Sequence, residues 1–289
     1  MTGKTSTTFL ISVIAMAVFS SSPAYGQARK ICITYTGNNC FTVAPPKLYV
    51  SDAGMPIPRA LDGKPDFTGV YAGPGFTHQE GPNDTDEPRL RQFDPMKMAS
   101  FKPGGEKLFY RSNSGDNRID DPISLCLPYG FTSQILVPYA QQWIQSPNWM
   151  VVRHEFQNNW SRAIPLDGRP HPKDLEPTWG GDSVGHWEGE TLVIDTVGIK
   201  AWLLANRGNS ENGTIWHSDA IHVIERLKYL SARIISYAVT IDDPKIWTAP
   251  WTEDFYMVKH PTWNLLEYVC QENNRCAQGH CTPSDVQVQ

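Results

Sequence analysis

Apolar and polar residues alternate in short runs through the second half of the chain, and turn residues separate these runs. Alternation with a period of two is typical of strands with one buried face. Eight strands are predicted in this way, at residues 142–146, 149–156, 160–165, 183–187, 191–197, 220–228, 232–241 and 247–257. Short hairpin-like links favour an all-β antiparallel meander. We expect it to close as an up-and-down, lipocalin-like β-barrel, because closure removes exposed strand edges. A sandwich with an apolar core is the alternative.

The first part of the mature chain lacks this regularity. Residues 27–120 are interrupted by proline, glycine and acidic stretches, and only residues 67–72 have a strand pattern. This segment is predicted to wrap the barrel, which we assign to residues 121–272, with a tail at 273–289. Helical periodicity is limited to a short turn near residues 201–205, and residues 263–270 are predicted as a further strand or a strap.

The extreme N-terminus has the features of a cleaved signal peptide, assigned to residues 1–26. Lys4 precedes an apolar stretch at residues 9–19, and small residues follow at 20–26. The apolar stretch is too short to span a bilayer, so we expect export to the periplasm or beyond. The formal charge of −5 and the absence of Lys/Arg runs argue against nucleic-acid binding.

Six cysteines in an exported chain favour disulfides. The pairs suggested by spacing are Cys32–Cys40, Cys276–Cys281 and, as the remainder, Cys126–Cys270. The alternative is a metal site built from the C-terminal cysteines and His280. Its spacing matches no common zinc pattern, and we therefore predict no metal and no cofactor.

Residues 217–226 combine strand-like aliphatics with a dense set of ionisable groups. These groups are His217, Asp219, His222, Glu225 and Arg226. Strand alternation places Asp219 and Glu225 on the face of His217 and the other two on the opposite face. Whichever face is buried therefore carries charge, which is expensive unless the charge is paired. A functional site and a structural set of ion pairs both account for the pattern.

The catalytic hypothesis uses proton transfer alone. His217 is the predicted general base or acid, Asp219 or Asp195 would orient it, and Glu225 would be a second acid. Such a site suits a cofactor-independent isomerase, cyclase or hydratase/lyase. Phosphate-binding loops, Gly-x-Ser-x-Gly elbows and His-Glu-x-x-His helices are missing from the sequence.

Five further residues are predicted to bind a small apolar or aromatic ligand: Trp179, Trp187, His171, Arg162 and Tyr237. The tryptophans would form the pocket walls. His171 lies between two prolines, which would fix an imidazole at a barrel mouth. Core packing, a surface loop and cross-strand ion pairing are the structural alternatives for these residues.

Several motifs together resemble a group of exported bacterial proteins. The motifs are Arg169-Pro-His-Pro172, Trp187-Glu-Gly-Glu-Thr-Leu-Val-Ile-Asp-Thr-Val-Gly198, His217-Ser-Asp-Ala-Ile-His-Val-Ile-Glu-Arg226 and Glu267-Tyr-Val-Cys270. The resemblance covers residues 67–272 and implies the Cys126–Cys270 link but no activity. A loop at residues 206–214 and four extra cysteines depart from it. At fold level, the strand pattern resembles lipocalin-type barrels, which does not fix function.

These observations lead to three hypotheses. The first is a periplasmic enzyme acting on a small apolar or aromatic molecule, and the second is a non-catalytic carrier of such a molecule. The third is a structural envelope protein with a solid core. Substrate, reaction and oligomeric state are not encoded in any motif found in the sequence.

Overall fold

The fold is taken from a computed structural model. The residues it describes are 29–33, 39–43, 52, 54–71, 98–112, 114, 116, 120, 125–136, 139–156, 160–205 and 214–272. The chain divides into two compact units, residues 1–47 and 48–289. The predicted signal peptide and C-terminal tail, and residues 206–213 of the glycine-rich loop, lie outside the described residues.

The first unit contains one antiparallel pair of strands, β1 (Arg29–Ile33) and β2 (Asn39–Val43). Their register places Cys32 directly opposite Cys40. This backbone arrangement suits the local disulfide expected from the sequence, and the bond itself stays a prediction. The predicted Cys276–Cys281 pair lies outside the described residues.

The second unit is built mainly from strands. Its described strands are β3 (Gly69–Tyr71), β4 (Tyr110–Arg111), β5 (Gln141–Gln145), β6 (Trp149–His154), β7 (Ser161–Pro165), β8 (Asp182–Glu188), β9 (Thr191–Val197), β10 (Leu203–Ala205), β11 (Thr214–Trp216), β12 (His222–Tyr229), β13 (Ile234–Asp242) and β14 (Trp251–Val258). Two short helices accompany them, α1 (Gly105–Phe109) and α2 (Phe131–Leu136). All eight strands predicted from the alternating pattern are present, with ends shifted by a few residues.

These strands form three sheets in which every ladder is antiparallel. The five-stranded sheet has the order β14-β13-β12-β9-β8, the four-stranded sheet β3-β5-β6-β7, and the three-stranded sheet β10-β11-β4. The all-β antiparallel class is therefore confirmed. The meander is not continuous, because β10 and β11 interrupt the chain between β9 and β12.

The two larger sheets approach each other at both of their edges. At one edge Tyr71 forms an isolated bridge with Lys259, and the His260 N–H donates to the Val70 carbonyl at 2.8 Å. At the other edge the Gly168 N–H donates to the Gly185 carbonyl at 3.0 Å. These contacts are single bonds. The described strands do not form a continuous closed ladder, and a closed lipocalin-like barrel is not found among them.

Both larger sheets contribute to one aromatic-rich core. The Trp143 ring from β5 lies 6.4 Å from the Tyr237 ring of β13, nearly perpendicular to it. The Phe67 ring stacks on the Tyr229 ring at 4.9 Å. Phe67 and Phe109 are fully buried, so the N-terminal segment supplies core residues in addition to wrapping the sheets.

Two local predictions differ from the structure. The turn expected near residues 201–205 is wrong, because Leu203–Ala205 is strand β10 paired with β11. Leu203 and Leu204 are both fully buried, a pattern that periodicity alone does not assign to a strand. Residues 263–270 contain no strand, and the segment ends at a disulfide between Cys270 and Cys126. The predicted long-range cysteine pair is confirmed. No helix in the described part of the chain is long and apolar enough to cross a bilayer.

Candidate functional site

A buried polar cluster lies between the two larger sheets. Arg162 of β7 donates from Nη1 to Glu225 Oε2 at 2.8 Å and from Nη2 to Oε1 at 3.0 Å. The Tyr237 hydroxyl from β13 donates to the same Oε1 at 2.5 Å. Glu225 is 0% exposed and Arg162 is 6% exposed. This two-pronged geometry satisfies both carboxylate oxygens, which is what a buried charge pair requires.

The surroundings of this cluster keep the Tyr237 hydroxyl protonated and the His154 ring neutral. Burial raises the pKa of Tyr237 well above its ordinary value, and the adjacent Glu225 carboxylate raises it further, so the phenol keeps its proton. The Phe131 ring of α2 lies 4.5 Å from the Arg162 guanidinium carbon. Burial and the charge of Arg162 also hold the pKa of His154 well below its ordinary value. The cluster therefore contains one paired charge of each sign beside neutral hydrogen-bonding groups.

A second polar cluster lies at the outer face of the five-stranded sheet. His171 Nδ1 is 2.5 Å from Asp182 Oδ1, and its Nε2 is 3.1 Å from Asp195 Oδ1. His222 Nε2 is 2.8 Å from the same Asp195 oxygen. Together the four side chains form a continuous chain Asp182–His171–Asp195–His222. Their side chains are 22–36% exposed.

The local sequence explains how the four side chains meet. Asp182 begins β8, Asp195 lies within β9, and His222 begins β12. On β9 and β12 the neighbours of the polar residues, such as Thr196 and Val223, point into the core, so alternation turns Asp195 and His222 outward. Pro170 and Pro172 restrict the backbone on both sides of His171, and the β7–β8 connection carries its imidazole onto the sheet.

This arrangement can store and move protons. Carboxylates accept hydrogen bonds, so each imidazole nitrogen that faces one must donate. His171 therefore has a carboxylate acceptor at each of its two ring nitrogens. A chain of alternating imidazole and carboxylate groups is suited to general acid–base chemistry. The same chain also fixes the proline-rich connection to the sheet.

A cleft opens where β7 faces the chain that leads into β8. It has a volume of about 340 Å³, and Trp160, Arg162, Trp179 and Asp182 contribute to its walls. This volume lies in the range of roughly 300–1,000 Å³ that small-molecule sites occupy. Asp182 belongs both to the cleft wall and to the outer chain of imidazoles and carboxylates. Two indole side chains and a member of the outer chain therefore line the same cleft.

The predicted catalytic set is not assembled around His217. This imidazole is 2% exposed and donates from Nδ1 to the Ser218 carbonyl at 2.9 Å. Burial lowers its pKa to about 4. Asp219 instead pairs with Lys245 on the surface. The predicted orientation of His217 by Asp219 is therefore absent from the structure, and Glu225 and Asp195 belong to the two separate clusters described above.

The backbone explains why His217 and Asp219 are separated from Glu225. Residues 217–221 are not part of β12, which begins at His222. Asp243 accepts from the Ser218 N–H and hydroxyl, each at 2.7 Å, and fixes a turn there. Strand alternation consequently holds for Glu225 and Arg226 but not for His217 and Asp219. Arg226 pairs with Glu188 on the outer face.

The predicted ligand-binding residues are divided as well. Trp179 lines the cleft, whereas Trp187 lies at the far end of β8 and stacks 6.0 Å from the Phe67 ring. The two indoles therefore do not face one another across a pocket. Arg162 and Tyr237 meet in the buried cluster, and His171 joins the outer chain.

Sequence reasoning missed three contributors to these sites. Asp182 follows two glycines and lies outside any apolar pattern, and Trp160 stands at the first position of a predicted strand. His222 belongs to the ionisable run at residues 217–226, but strand alternation places it on the opposite face from His217, the predicted base. Only the fold of the β7–β8 connection, which brings His171 onto Asp195, reveals that His222 belongs to a site.

Comparison with known proteins adds no further assignment. No family model, no curated protein and no solved structure matches this chain. Within the described residues, no group of three or more His, Cys, Asp or Glu side chains is arranged to hold a metal ion. The resemblance to exported bacterial proteins therefore stays a prediction.

Proposed function

We propose that this protein is an exported small-molecule-binding protein with acid–base activity toward a flat, aromatic compound bound between Trp160 and Trp179. The observation that carries the proposal is the position of Asp182, which lines the cleft and also contacts His171 Nδ1 at 2.5 Å. The two larger sheets act as a lipocalin-like enclosure around the core. Export through the signal peptide at residues 1–26 is part of the same proposal.

The indoles account for the aromatic preference. Trp160 and Trp179 are only half-buried, and both contribute to the walls of the cleft. Indole faces favour stacked or edge-on contact with another ring, which adds to the free energy gained by removing apolar surface from water. The Lys200 ammonium lies 5.1 Å from the centre of the Trp179 ring, and the Trp202 ring packs edge-on against the same indole at 4.7 Å.

The chemistry proposed is reversible proton transfer. Asp182 would take a proton from the ligand at one carboxylate oxygen and return it to the ligand at another carbon, while the His171 Nδ1–H stays hydrogen-bonded to Oδ1 and orients the carboxylate. Asp195 and His222 extend the chain to the surface, from which protons enter and leave. This role needs no cofactor and fits an isomerase or a lyase. It transfers the predicted activity from His217 to the Asp182–His171 pair.

The test uses proton exchange, which does not require the natural substrate to be known. Planar aromatic ketones such as acetophenone would be incubated with the protein in D₂O, and deuterium incorporation next to the carbonyl followed by NMR. We expect Asp182→Asn to reduce exchange by roughly 10²–10⁴-fold, the typical contribution of a general base, while binding persists. Asp174→Asn, an exposed carboxylate in the same connection, is the matched control.

The alternative within this proposal is a non-catalytic carrier that uses the same cleft. Binding without exchange in the unmodified protein would favour the carrier. Perturbation of the Trp160 and Trp179 indole N–H signals by the ketones tests binding itself. If no planar aromatic compound perturbs either signal, the cleft is not a ligand site and the structural-protein hypothesis gains support.

A further inference from the structure

Behind the cleft, a row of buried polar side chains crosses the four-stranded sheet. Gln141 of β5 is the register partner of His154 in β6, and the His154 N–H donates to the Trp160 carbonyl at 2.8 Å. Cross-strand partners point to the same face. The His154 and Trp160 rings accordingly lie 5.3 Å apart. The row Gln141–His154–Trp160 therefore runs from the interior to the cleft.

Several polar atoms along this row have no hydrogen-bond partner in the structure. They are Gln141 Nε2, both ring nitrogens of His154, and Nε of the neighbouring Arg162. Gln141 and His154 are only 2% and 1% exposed. Buried polar groups are nearly always paired, because an unpaired one costs about 1–3 kcal/mol. Three such side chains on adjacent strands are therefore unusual for a purely structural core.

The unpartnered groups define what they can bind. Gln141 Nε2 and Arg162 Nε can only donate, and a neutral imidazole offers one donor and one acceptor. Donors thus exceed acceptors, and the complementary group is an oxygen that accepts. The positive charge of Arg162 is already matched by Glu225, so an anion would have to compete with a buried carboxylate. A neutral carbonyl oxygen meets both conditions.

We infer that the ligand of the cleft is a neutral aromatic carbonyl compound whose oxygen points inward to the donors of His154, Arg162 and Gln141. This inference rests on the proposed function and deepens it. The ring lies between the indoles, and the carbonyl projects past Trp160, which belongs to the cleft wall as well as the row. Polarising a carbonyl acidifies the adjacent C–H groups, which is the reaction partner that a general base at Asp182 requires.

The decisive experiment compares acetophenone with ethylbenzene, which has the same ring and nearly the same shape but no oxygen. Apolar contact alone favours ethylbenzene, because its transfer from water costs no polar desolvation. We expect acetophenone to bind about tenfold more tightly, the difference that one well-placed hydrogen bond makes. Carbonyl-¹³C acetophenone should show a lowered C=O stretching frequency when bound.

Substitutions at His154 locate the effect. His154→Phe should remove the preference for the ketone while ethylbenzene affinity is retained, and His154→Gln, which keeps a donor, should preserve most of the preference. The surface variant His186→Gln controls for loss of a histidine elsewhere on the protein. Circular dichroism and the ethylbenzene affinity together report whether each variant keeps its fold.

The possible outcomes distinguish failure of the proposed function from failure of the carbonyl inference. If neither compound binds, the cleft is not a ligand site, and the proposed function fails together with this inference. If both compounds bind but ethylbenzene binds equally or more tightly, the proposed function stands and the carbonyl inference is overturned. A ketone preference that survives in His154→Phe also overturns it, since the donors would then lie elsewhere.

Discussion

The guanidinium of Arg162 and the carboxylate of Glu225 meet across the protein interior, each supplied by a different sheet. Arg162 comes from β7 of the four-stranded sheet and Glu225 from β12 of the five-stranded sheet, and they form two hydrogen bonds of 2.8 and 3.0 Å. An ion pair with almost no exposure links the sheets more specifically than apolar contact, because its geometry is satisfied in one register only.

The first prediction concerns the cost of breaking this pair. Glu225→Gln leaves the Arg162 charge buried without a counter-charge, and we expect a loss of about 3–5 kcal/mol in the free energy of unfolding. The double variant Arg162→Met/Glu225→Leu removes both charges and should recover most of that loss. Urea denaturation of this double variant and of its two component singles, Arg162→Met and Glu225→Leu, measures the coupling.

The exposed pair Arg226–Glu188, which joins β12 to β8 across the intervening strand β9, is the matched control. Exposed pairs contribute about 0–1 kcal/mol, so Glu188→Gln should change the free energy of unfolding little. Equal losses for the buried and exposed variants would contradict the assigned role of the Arg162–Glu225 pair.

The second prediction is a pH dependence set by His217. Burial lowers its pKa to about 4 from the ordinary 6.5, so the unfolded chain binds more protons than the folded one between these values. Stability therefore falls as pH is lowered from about 6.5 to about 4. This single group accounts for about 3 kcal/mol over the full window, and buried His154 acts in the same direction.

Denaturation measured at several pH values tests this expectation. His217→Gln removes the titrating group while keeping a side-chain donor for the Ser218 carbonyl, so its stability should decline less steeply between pH 6.5 and 4. His186→Gln serves as the control for loss of an exposed histidine. An unchanged slope in His217→Gln would show that other groups cause the acid sensitivity.

The third prediction concerns the disulfide between Cys126 and Cys270. The two cysteines are 144 residues apart in sequence. In the chain-entropy treatment, the entropy that a loop of this size removes from the unfolded chain raises its free energy by about 5 kcal/mol. We expect Cys126→Ala/Cys270→Ala to lower the free energy of unfolding by several kcal/mol, roughly 2–5. The denaturant midpoint of the variant, compared with that of the unmodified protein before and after reduction, checks it. If the variant is as stable as the oxidised protein, the disulfide does not stabilise the fold.

The strand framework followed from the sequence because each strand repeats its pattern over five or more residues. β9 matches the predicted bounds at both ends, since its aliphatic-rich, β-branched run lies between Gly189 and Gly198. β10 and β11 have only three residues each, too few for a period to be recognised. The approach of the two larger sheets depends on long-range edge contacts such as the bridge between Tyr71 and Lys259, which no local pattern encodes.

The site residues show the same limit. The sequence predicts Glu225 as a second acid and Arg162 and Tyr237 as ligand-binding residues, yet their mutual contacts depend on how two sheets face each other. Asp219 does not contact His217, because Asp243, 25 residues beyond Ser218 in sequence, accepts hydrogen bonds from Ser218 and fixes a turn there. The chain Asp182–His171–Asp195–His222 could not be predicted from the sequence, because it depends on where the β7–β8 connection places His171.

The last prediction uses two adjacent glycines at the cleft. A Cβ at Gly181 would lie 2.6 Å from the Val197 carbonyl oxygen, and its φ of +68° is in the left-handed region. Gly181→Ala should therefore destabilise the fold, by roughly 1–3 kcal/mol from the backbone conformation alone. A Cβ at Gly180 would instead meet Trp160 Cζ2 at 2.8 Å, an indole edge that borders open space.

Gly180→Ala should therefore keep the fold and displace the Trp160 indole into the cleft. We expect reduced affinity for acetophenone and a shifted Trp160 N–H signal, with a free energy of unfolding close to that of the unmodified protein. Because the two substitutions are chemically identical and one residue apart, they separate cleft shape from general stability. If Gly180→Ala binds the ketone as well as the unmodified protein does, Trp160 is not a wall of the ligand site.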